Sequence, residues 1–269
     1  MTPRARALQE RLSSLGSVVV AYSGGVDSAY LAWIAHQTLG AHALAVTADS
    51  PSYPAHHRRL AIDIAARFGF NHEFVYTQEL ERDDYRGNPA NRCYFCKHEL
   101  YSFLGPIAAA RQAALADGNT ADDRGDYRPG RQAAREFGVI SPLDELDFGK
   151  DEIRALSRDA GLPTWNEPAS ACLSSRIPYL SPVTGDKLRR IEAGEAALRG
   201  LGFRICRVRH HDDEARVEIG RDELARTGDP AVVAAITAAL EAVGYQRVTI
   251  DPRGYRTGSL NEGLRLTPA

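Results

Sequence analysis

Hydrophobic positions first cluster at Ser17–Tyr22, a short β-branched run, after which Leu31, Ile34, Ala35 and Leu39 recur at helical spacing. Residues 41–48 form a second apolar run, and Ala61, Ile64, Ala65 and Phe68 mark one face of the helix that follows. His72–Tyr76 reads as a third strand, Leu100, Leu104, Ile107 and Ala108 as a further helix, and Ala113–Asp117 as a fourth strand. Apolar strands alternating with helices predict a parallel sheet covered on both faces, an α/β fold. Glu152–Leu156 opens another helix, which Gly161 and Pro163 bring to a stop. The stretch 164–182 then carries Pro168, Pro178 and Pro182 among small residues and reads as a connection. From Gly185 the pattern restarts: a helix over about 185–201, strands over 203–210 and 214–219, a helix over about 230–243 and a strand over 246–250. We therefore expect a first domain over 1–165, a linker over 166–182 that carries Cys172, and a smaller α+β domain over 183–269.

Composition adds a few limits. With 43% hydrophobic residues in 269, the chain has material for a core without disulfide or metal staples. A formal net charge of -2 gives no bulk electrostatic reason to expect nucleic acid or a membrane as partner. Met1–Arg6 has no signal-like apolar stretch and no run is long enough to span a bilayer, so a cytoplasmic protein is expected. Lysine stands only at 97, 150 and 187; every other Lys/Arg cation is an arginine, the side chain suited to gripping phosphate bidentately. Four cysteines are too few for a secreted disulfide scaffold of this length, and a Cys-x-x-Cys pair points instead to metal or redox chemistry.

Between the first strand and its helix lies Ser23-Gly24-Gly25-Val26-Asp27-Ser28. Glycines let a backbone approach an anion, and the N–H groups of the following helix supply a positive field. The hydroxyls of Ser23 and Ser28 add donors, and Asp27 is the natural carboxylate for Mg²⁺. The loop lacks the Gly-Lys-Ser/Thr ending of a Walker A motif. It resembles the PP-loop ATP-pyrophosphatase superfamily, an adenine-nucleotide hydrolase-like fold whose members split ATP to AMP and pyrophosphate while activating a substrate as its adenylate. Thr47 and Asp49, ending the second strand, and Gly118, ending the fourth, then fall at the carboxyl edge where such sheets bind nucleotide. Ile140–Leu143 and Lys150–Arg154 are similar to the superfamily's later segment.

Alternation over Arg204–Arg209 puts Cys206 and Val208 on one strand face and Arg207 and Arg209 on the other, so Cys206 is expected to fill core. Three cysteines remain, at 93, 96 and 172. Zinc with a fourth ligand such as His98, a [4Fe–4S] cluster with one open iron, and a metal-free redox dithiol all fit that pattern. Adjacent His210 and His211 point to opposite sides of a strand and read as structural.

Several strings resemble the LarE-type sulfur transferases, which make the thiocarboxylates of the nickel-pincer nucleotide cofactor. They are Asp126–Gly130, Ala169-Ser170 with Ser174-Ser175-Arg176 and Pro178-Tyr179, Arg207–Arg209 with His211, Ala215-Arg216 with Glu218, and Asp251 with Gly254–Arg256, Gly258 and Asn261. One subgroup of that family sacrifices a cysteine directly after Ala-Ser, but here Ala171 holds that place and Cys172 follows. The chain is therefore more similar to the cluster-dependent subgroup. That resemblance implies Cys93, Cys96 and Cys172 as ligands of a [4Fe–4S] cluster, with ATP and Mg²⁺ as the other cofactors. It makes Asp27 and Cys172 catalytic, and Ser175, Arg176, Arg207 and Arg209, with Glu195 nearby, the pocket for the phosphate of a pyridinium mononucleotide. It also implies a homo-oligomer, a hexamer. A tRNA thiolase, a zinc-containing nucleobase-modifying ligase of the same superfamily, and a non-enzymatic ATP-binding module are the rival readings.

Overall fold

The structure, a computed structural model, describes residues 2–125, 127–169, 171–256 and 260. Asp126, Ser170, Gly258 and Asn261 of the strings above lie outside the described residues. The chain begins α1 (Pro3–Leu15), β1 (Val18–Ala21), α2 (Val26–Leu39), β2 (Ala43–Asp49), α3 (Ala55–Phe68) and β3 (His72–Tyr76). It continues α4 (Asp83–Arg86), α5 (Arg92–Ala110), β4 (Ala114–Ala116), α6 (Gly130–Glu136), α7 (Pro142–Glu145) and α8 (Lys150–Asp159). It ends α9 (Gly185–Gly200), β5 (Cys206–His211), β6 (Glu214–Ile219), α10 (Pro230–Ala242) and β7 (Arg247–Ile250).

Contacts gather these elements into two compact units, one drawn from Met1–Glu79 and Asn91–Ser170, the other from Leu80–Ala90 and Ala171–Ala269. Residues 171–182, read from the sequence as part of a linker, thus pack within the second unit together with 80–90, a stretch from the middle of the first.

The first unit holds a parallel sheet ordered β3-β2-β1-β4. Val18 is in register with Ala43 on one side and Ala114 on the other. All four β1 residues are buried, as a central strand covered on both faces requires. Successive side chains go to opposite faces. Val18 and Val20 join α1, α2, α3 and α8 through Leu8, Leu12, Leu31, Ile64 and Ile153, while Val19 and Ala21 join α5 and α6 through Leu100, Leu104 and Ala133. Chain order runs outward from β1 to β3 and then returns to β4 on the other side. The carboxyl end of β1 is therefore the topological switch point where open α/β sheets bind ligands.

The second unit pairs β5 with β6 antiparallel and β6 with β7 parallel. One face carries Cys206, Val208, Ala215 and Val217 against Leu198, Ile236 and Leu240 of α9 and α10. The strand expected from residue 203 starts only at Cys206. The backbone N–H groups of Arg204 and Ile205 donate to the Glu223 carboxylate instead of to a strand partner. Among the described residues no helix is long and apolar enough to cross a membrane.

Candidate functional site

At the switch point the chain turns through Ser23–Gly25 into α2. The N-cap residue is Gly25, which has no side chain, so the first N–H groups of α2 carry no side-chain cap. Ser28 closes the turn: its Oγ accepts from the Ser23 N–H at 3.1 Å, lies 3.0 Å from Ser23 Oγ, and donates to the Gly25 carbonyl. Gly24 is required twice over. Its φ is +67°, and a Cβ there would stand 3.0 Å from the His57 carbonyl oxygen of α3. Gly118 is equally restricted, since a Cβ would come within 2.9 Å of the Ser28 nitrogen. The end of β4 therefore lies directly against the start of α2. The Tyr53 hydroxyl donates to the Ser23 carbonyl at 3.1 Å.

Of the other residues expected here, Thr47 is fully buried and its hydroxyl bonds the Tyr22 carbonyl and His72 Nε2, bracing the sheet. Asp49 is buried and paired with Arg58. Burial raises its carboxyl above the usual range although Arg58 pulls it down.

Asp27 lies at the first turn of α2. Burial pushes its carboxyl up to about 6; Lys150 opposes this, Asp123 reinforces it, and Arg154 and Arg128 oppose it again. A partly buried carboxylate short of compensating charge is stabilised by a hard cation, so Asp27 fits Mg²⁺ by donor type and by need. Lys150, which opens α8, binds Asp123 Oδ1 at 2.8 Å, and Asp123 itself is buried.

Cys93 and Cys96 sit three residues apart in the first turns of α5, on one helical face, the first exposed and the second half-buried. Their soft sulfur donors fit a thiolate metal centre. Among the described residues no group of three or more His, Cys, Asp or Glu side chains comes together as a metal-binding set.

In the second unit Cys172 precedes a 3-10 turn, Leu173–Arg176. Arg176 and Glu195 are each only 2% exposed and form a two-pronged ion pair, at 2.8 and 3.1 Å. The remaining guanidinium nitrogen of Arg176 donates to the carbonyls of Ala171 and Cys172 and to Ser175 Oγ. Arg176 is thus the clamp on the Cys172 turn rather than an exposed cation. Arg209 donates to the Ser175 carbonyl at 2.9 Å and to Glu218 at 2.7 Å. Arg207 lies over the Tyr255 ring at 4.9 Å. Burial and the neighbouring Arg176 charge push its guanidinium below the usual range. The buried guanidiniums of Arg176, Arg207 and Arg209 gather here with Glu195 and Glu218, and such a concentration of arginine suits an anion.

Two residues of this turn's support were not singled out from the sequence. The Tyr85 hydroxyl pairs with Ser174 Oγ at 2.7 Å, and Asn88, at φ 56°, donates to the carbonyls of Pro178 and Ser181. Asn is among the few residues that tolerate a left-handed backbone, which was the one local signal available. Cys206 behaves as expected: it is buried in the core, and burial together with Glu195 pushes its thiol up to about 12. His210 is buried against the Tyr245 hydroxyl at 3.1 Å, whereas His211 is exposed.

A glycine-rich turn at the switch point of a parallel sheet, with an uncapped helix start and a carboxylate beside it, defines a PP-loop nucleotide-binding protein of the ATP-pyrophosphatase type. Residues 5–85 match the asparagine synthase family. The chain is 41% identical over 258 residues to an uncharacterized protein of Synechocystis sp., covering 96% of each. It is 38% identical over 256 residues to the pyridinium-3,5-bisthiocarboxylic acid mononucleotide synthase of Lactiplantibacillus plantarum, covering 94% of this chain and 92% of that protein. It is also 25% identical over 241 residues to an uncharacterized protein of Methanocaldococcus jannaschii, covering 89% of this chain and 91% of that one. The chain belongs to the family of the Lactiplantibacillus synthase, the LarE-type ATP-dependent sulfur transferases.

Proposed function

We propose that this sulfur transferase converts carboxylates of a pyridinium mononucleotide to thiocarboxylates. The observation that carries the reading is the Cys172 turn, clamped by a fully buried Arg176–Glu195 pair beside the buried guanidiniums of Arg207 and Arg209. A thiol whose backbone is locked beside an anion pocket is what delivery of sulfur to a phosphorylated substrate needs.

A carboxylate is a poor electrophile, so it is first activated. Its oxygen attacks the α-phosphorus of ATP, the bond from that phosphorus to the bridging oxygen breaks, and pyrophosphate departs. The uncapped N–H groups of α2 and the Ser23 and Ser28 hydroxyls receive the developing charge. Mg²⁺ on Asp27 would neutralise part of that charge. Sulfide then attacks the acyl carbon, and the carbon–oxygen bond to AMP breaks to leave the thiocarboxylate. A [4Fe–4S] cluster on the thiolates of Cys93, Cys96 and Cys172 would supply that sulfide and allow it to be replenished. Ser175, Arg207 and Arg209 orient the substrate's phosphate, with Arg176 holding the turn in place. The working protein is a homo-oligomer in the cytoplasm.

The test is an anaerobic reaction of the purified protein with MgATP, sulfide and the pyridinium biscarboxylic mononucleotide, followed by mass spectrometry. AMP and thiocarboxylate should appear together and only with the mononucleotide present. AMP released at the same rate without it would overturn the reading.

A further inference from the structure

A triphosphate in the Ser23–Ser28 loop brings several negative charges next to Asp27, itself an anion when ionised. Positive side chains must answer them. Among the described residues, Lys150, Arg154 and Arg128 carry positive charges that act on Asp27. Arg154 is committed elsewhere, donating to the carbonyls of Trp165 and Glu167 at 2.7 and 2.8 Å.

The other two meet at a single buried carboxylate. Asp123 Oδ1 receives Lys150 Nζ and Arg128 Nη2, each at 2.8 Å. Its Oδ2 accepts from the Thr120 backbone N–H at 3.0 Å and the Thr120 hydroxyl at 3.2 Å. Asp122 fixes the backbone of the same lysine, accepting from the Lys150 N–H at 2.6 Å. One acidic residue of the pair therefore places the lysine's main chain and the other its head. Both cations remain about two-fifths exposed, 39% for Arg128 and 43% for Lys150, although the carboxylate that anchors them is 3% exposed. A buried anion holding two partly exposed cations fixes where their charges stand and leaves part of each head group at the surface.

The segment is also tied to the loop. Gly118, two residues before Thr120, lies against the Ser28 nitrogen. On its other side, Gly130 abuts Lys97 and the Cys93 carbonyl, at 2.9 and 3.4 Å from a Cβ position. Arg128 therefore lies between two anchor points, one on the start of α2 and one on the start of α5.

We propose that Arg128 is a catalytic residue that contacts the departing pyrophosphate, with Asp123 as the positioning residue that presents it together with Lys150. The planar guanidinium grips the pyrophosphate oxygens in two-pronged fashion while Lys150 contributes a point charge. As the phosphorus–oxygen bond breaks, the charge on the bridging oxygen grows and Arg128 binds the leaving group more tightly than the intact triphosphate. The inference rests on the ATP-splitting reading of the loop and assigns its leaving-group contact.

Titration calorimetry of the full chain with magnesium pyrophosphate and, separately, with AMP tests it. Arg128→Ala should weaken pyrophosphate binding by about 10- to 100-fold, the loss expected for a charge-assisted hydrogen bond. AMP affinity should stay within about twofold, because the adenosine end makes no use of Arg128. Arg128→Lys should fall between Arg128→Ala and the native protein. Pyrophosphate binding unchanged in Arg128→Ala overturns the inference alone. Equal loss of both ligands assigns Arg128 to the fold and also overturns it. A native protein that binds neither ligand overturns the ATP-splitting reading and the inference with it.

Discussion

Replacing Glu195 by Gln separates the two duties of the buried pair in the second unit. Glu195 accepts from Arg176 Nε and Nη2 and from the Val208 backbone N–H. The amide keeps one acceptor but turns an NH₂ group towards the guanidinium and leaves its charge without a counter-ion. Breaking a fully buried pair from one side costs about 3–5 kcal/mol. At roughly 2–4 °C per kcal/mol for a chain of this size, melting should fall by about 6–20 °C. Burial opposes ionisation of Glu195, but the Arg176 charge and hydrogen bonds outweigh it and hold the carboxyl below its usual value of 4.5. A carboxyl depressed in the folded state stabilises the fold above the unfolded value, and that contribution is lost as pH falls through the folded one. Native protein should therefore lose stability on acidification below 4.5 through this group, and Glu195→Gln should lack that component. The decisive companion is the double variant Arg176→Met with Glu195→Leu. Apolar replacement of a buried pair is often neutral, so urea unfolding should show most of the stability restored. Sulfur transfer should remain lost, because the guanidinium that ties the Ala171 and Cys172 carbonyls to Ser175 Oγ is gone, while ATP binding in the first unit is kept. A single variant costing under about 1 kcal/mol, against the 3–5 expected, or an active double variant would refute the clamp.

Gly24→Ala should abolish ATP binding and cost about 1–2 kcal/mol, since it imposes a left-handed conformation on a side-chain-bearing residue against the His57 carbonyl; denaturant titration and nucleotide binding measure both. Asp27→Asn should raise the melting temperature of the nucleotide-free protein at pH 7.5 while ending adenylation. Its carboxyl is raised from 3.8 to about 6, so ionisation opposes folding increasingly across that window. The gain, about 1–3 kcal/mol above pH 6, should shrink as pH is lowered towards 4, and a gain that does not vary with pH contradicts the cause given. Cys172→Ala should remove bound iron and sulfur transfer with ATP binding intact, whereas Cys206→Ala should keep both and cost about 1 kcal/mol by leaving a small core cavity. Metal analysis of anaerobically purified protein should find iron and sulfide with a broad visible absorption, and zinc without colour would replace the cluster by a thiolate zinc site.

The sheet was legible because its strands are short apolar runs separated by regular helices, and the β–α period survives tertiary packing. The nucleotide loop was legible because its chemistry is contiguous in the chain. What escaped is non-local or set by side-chain competition. Within the stretch 166–182, Ser174, Pro178 and Ser181 are bonded by Tyr85 and Asn88, some ninety positions earlier, a pairing no local pattern records. The start of β5 moved because a carboxylate at Glu223 captures two backbone donors, which no alternation pattern records. Helix α1 does carry a local start signal, with Thr2 as its cap and Pro3 at its first position. Strand alternation correctly separated Cys206 and Val208 from Arg207 and Arg209. It carried no sign that the arginine face is buried as well, because burial of charge depends on Glu195 and Glu218 arriving from other elements.

Within the first unit the nucleotide loop and the Cys93–Cys96 helix share one support, the carboxyl end of β4. Asp117 is buried there and accepts from the Tyr101 hydroxyl of α5, from Asn119 and from Ser141. Its neighbour Gly118 leaves no room for a Cβ against Ser28. Two consecutive residues thus register α5 and the start of α2 against the same strand end. Gly130 repeats the arrangement further along, touching the α5 backbone at Cys93 shortly after Asp123 has anchored Arg128 and Lys150. The start of α2 and the cysteine-bearing helix α5 are thus both fixed to one strand end, the first by the close approach of Gly118 to Ser28 and the second by the Tyr101–Asp117 hydrogen bond. A substitution that enlarges Gly118 therefore acts on the nucleotide loop directly, because close-packed contacts leave no room to absorb an added Cβ.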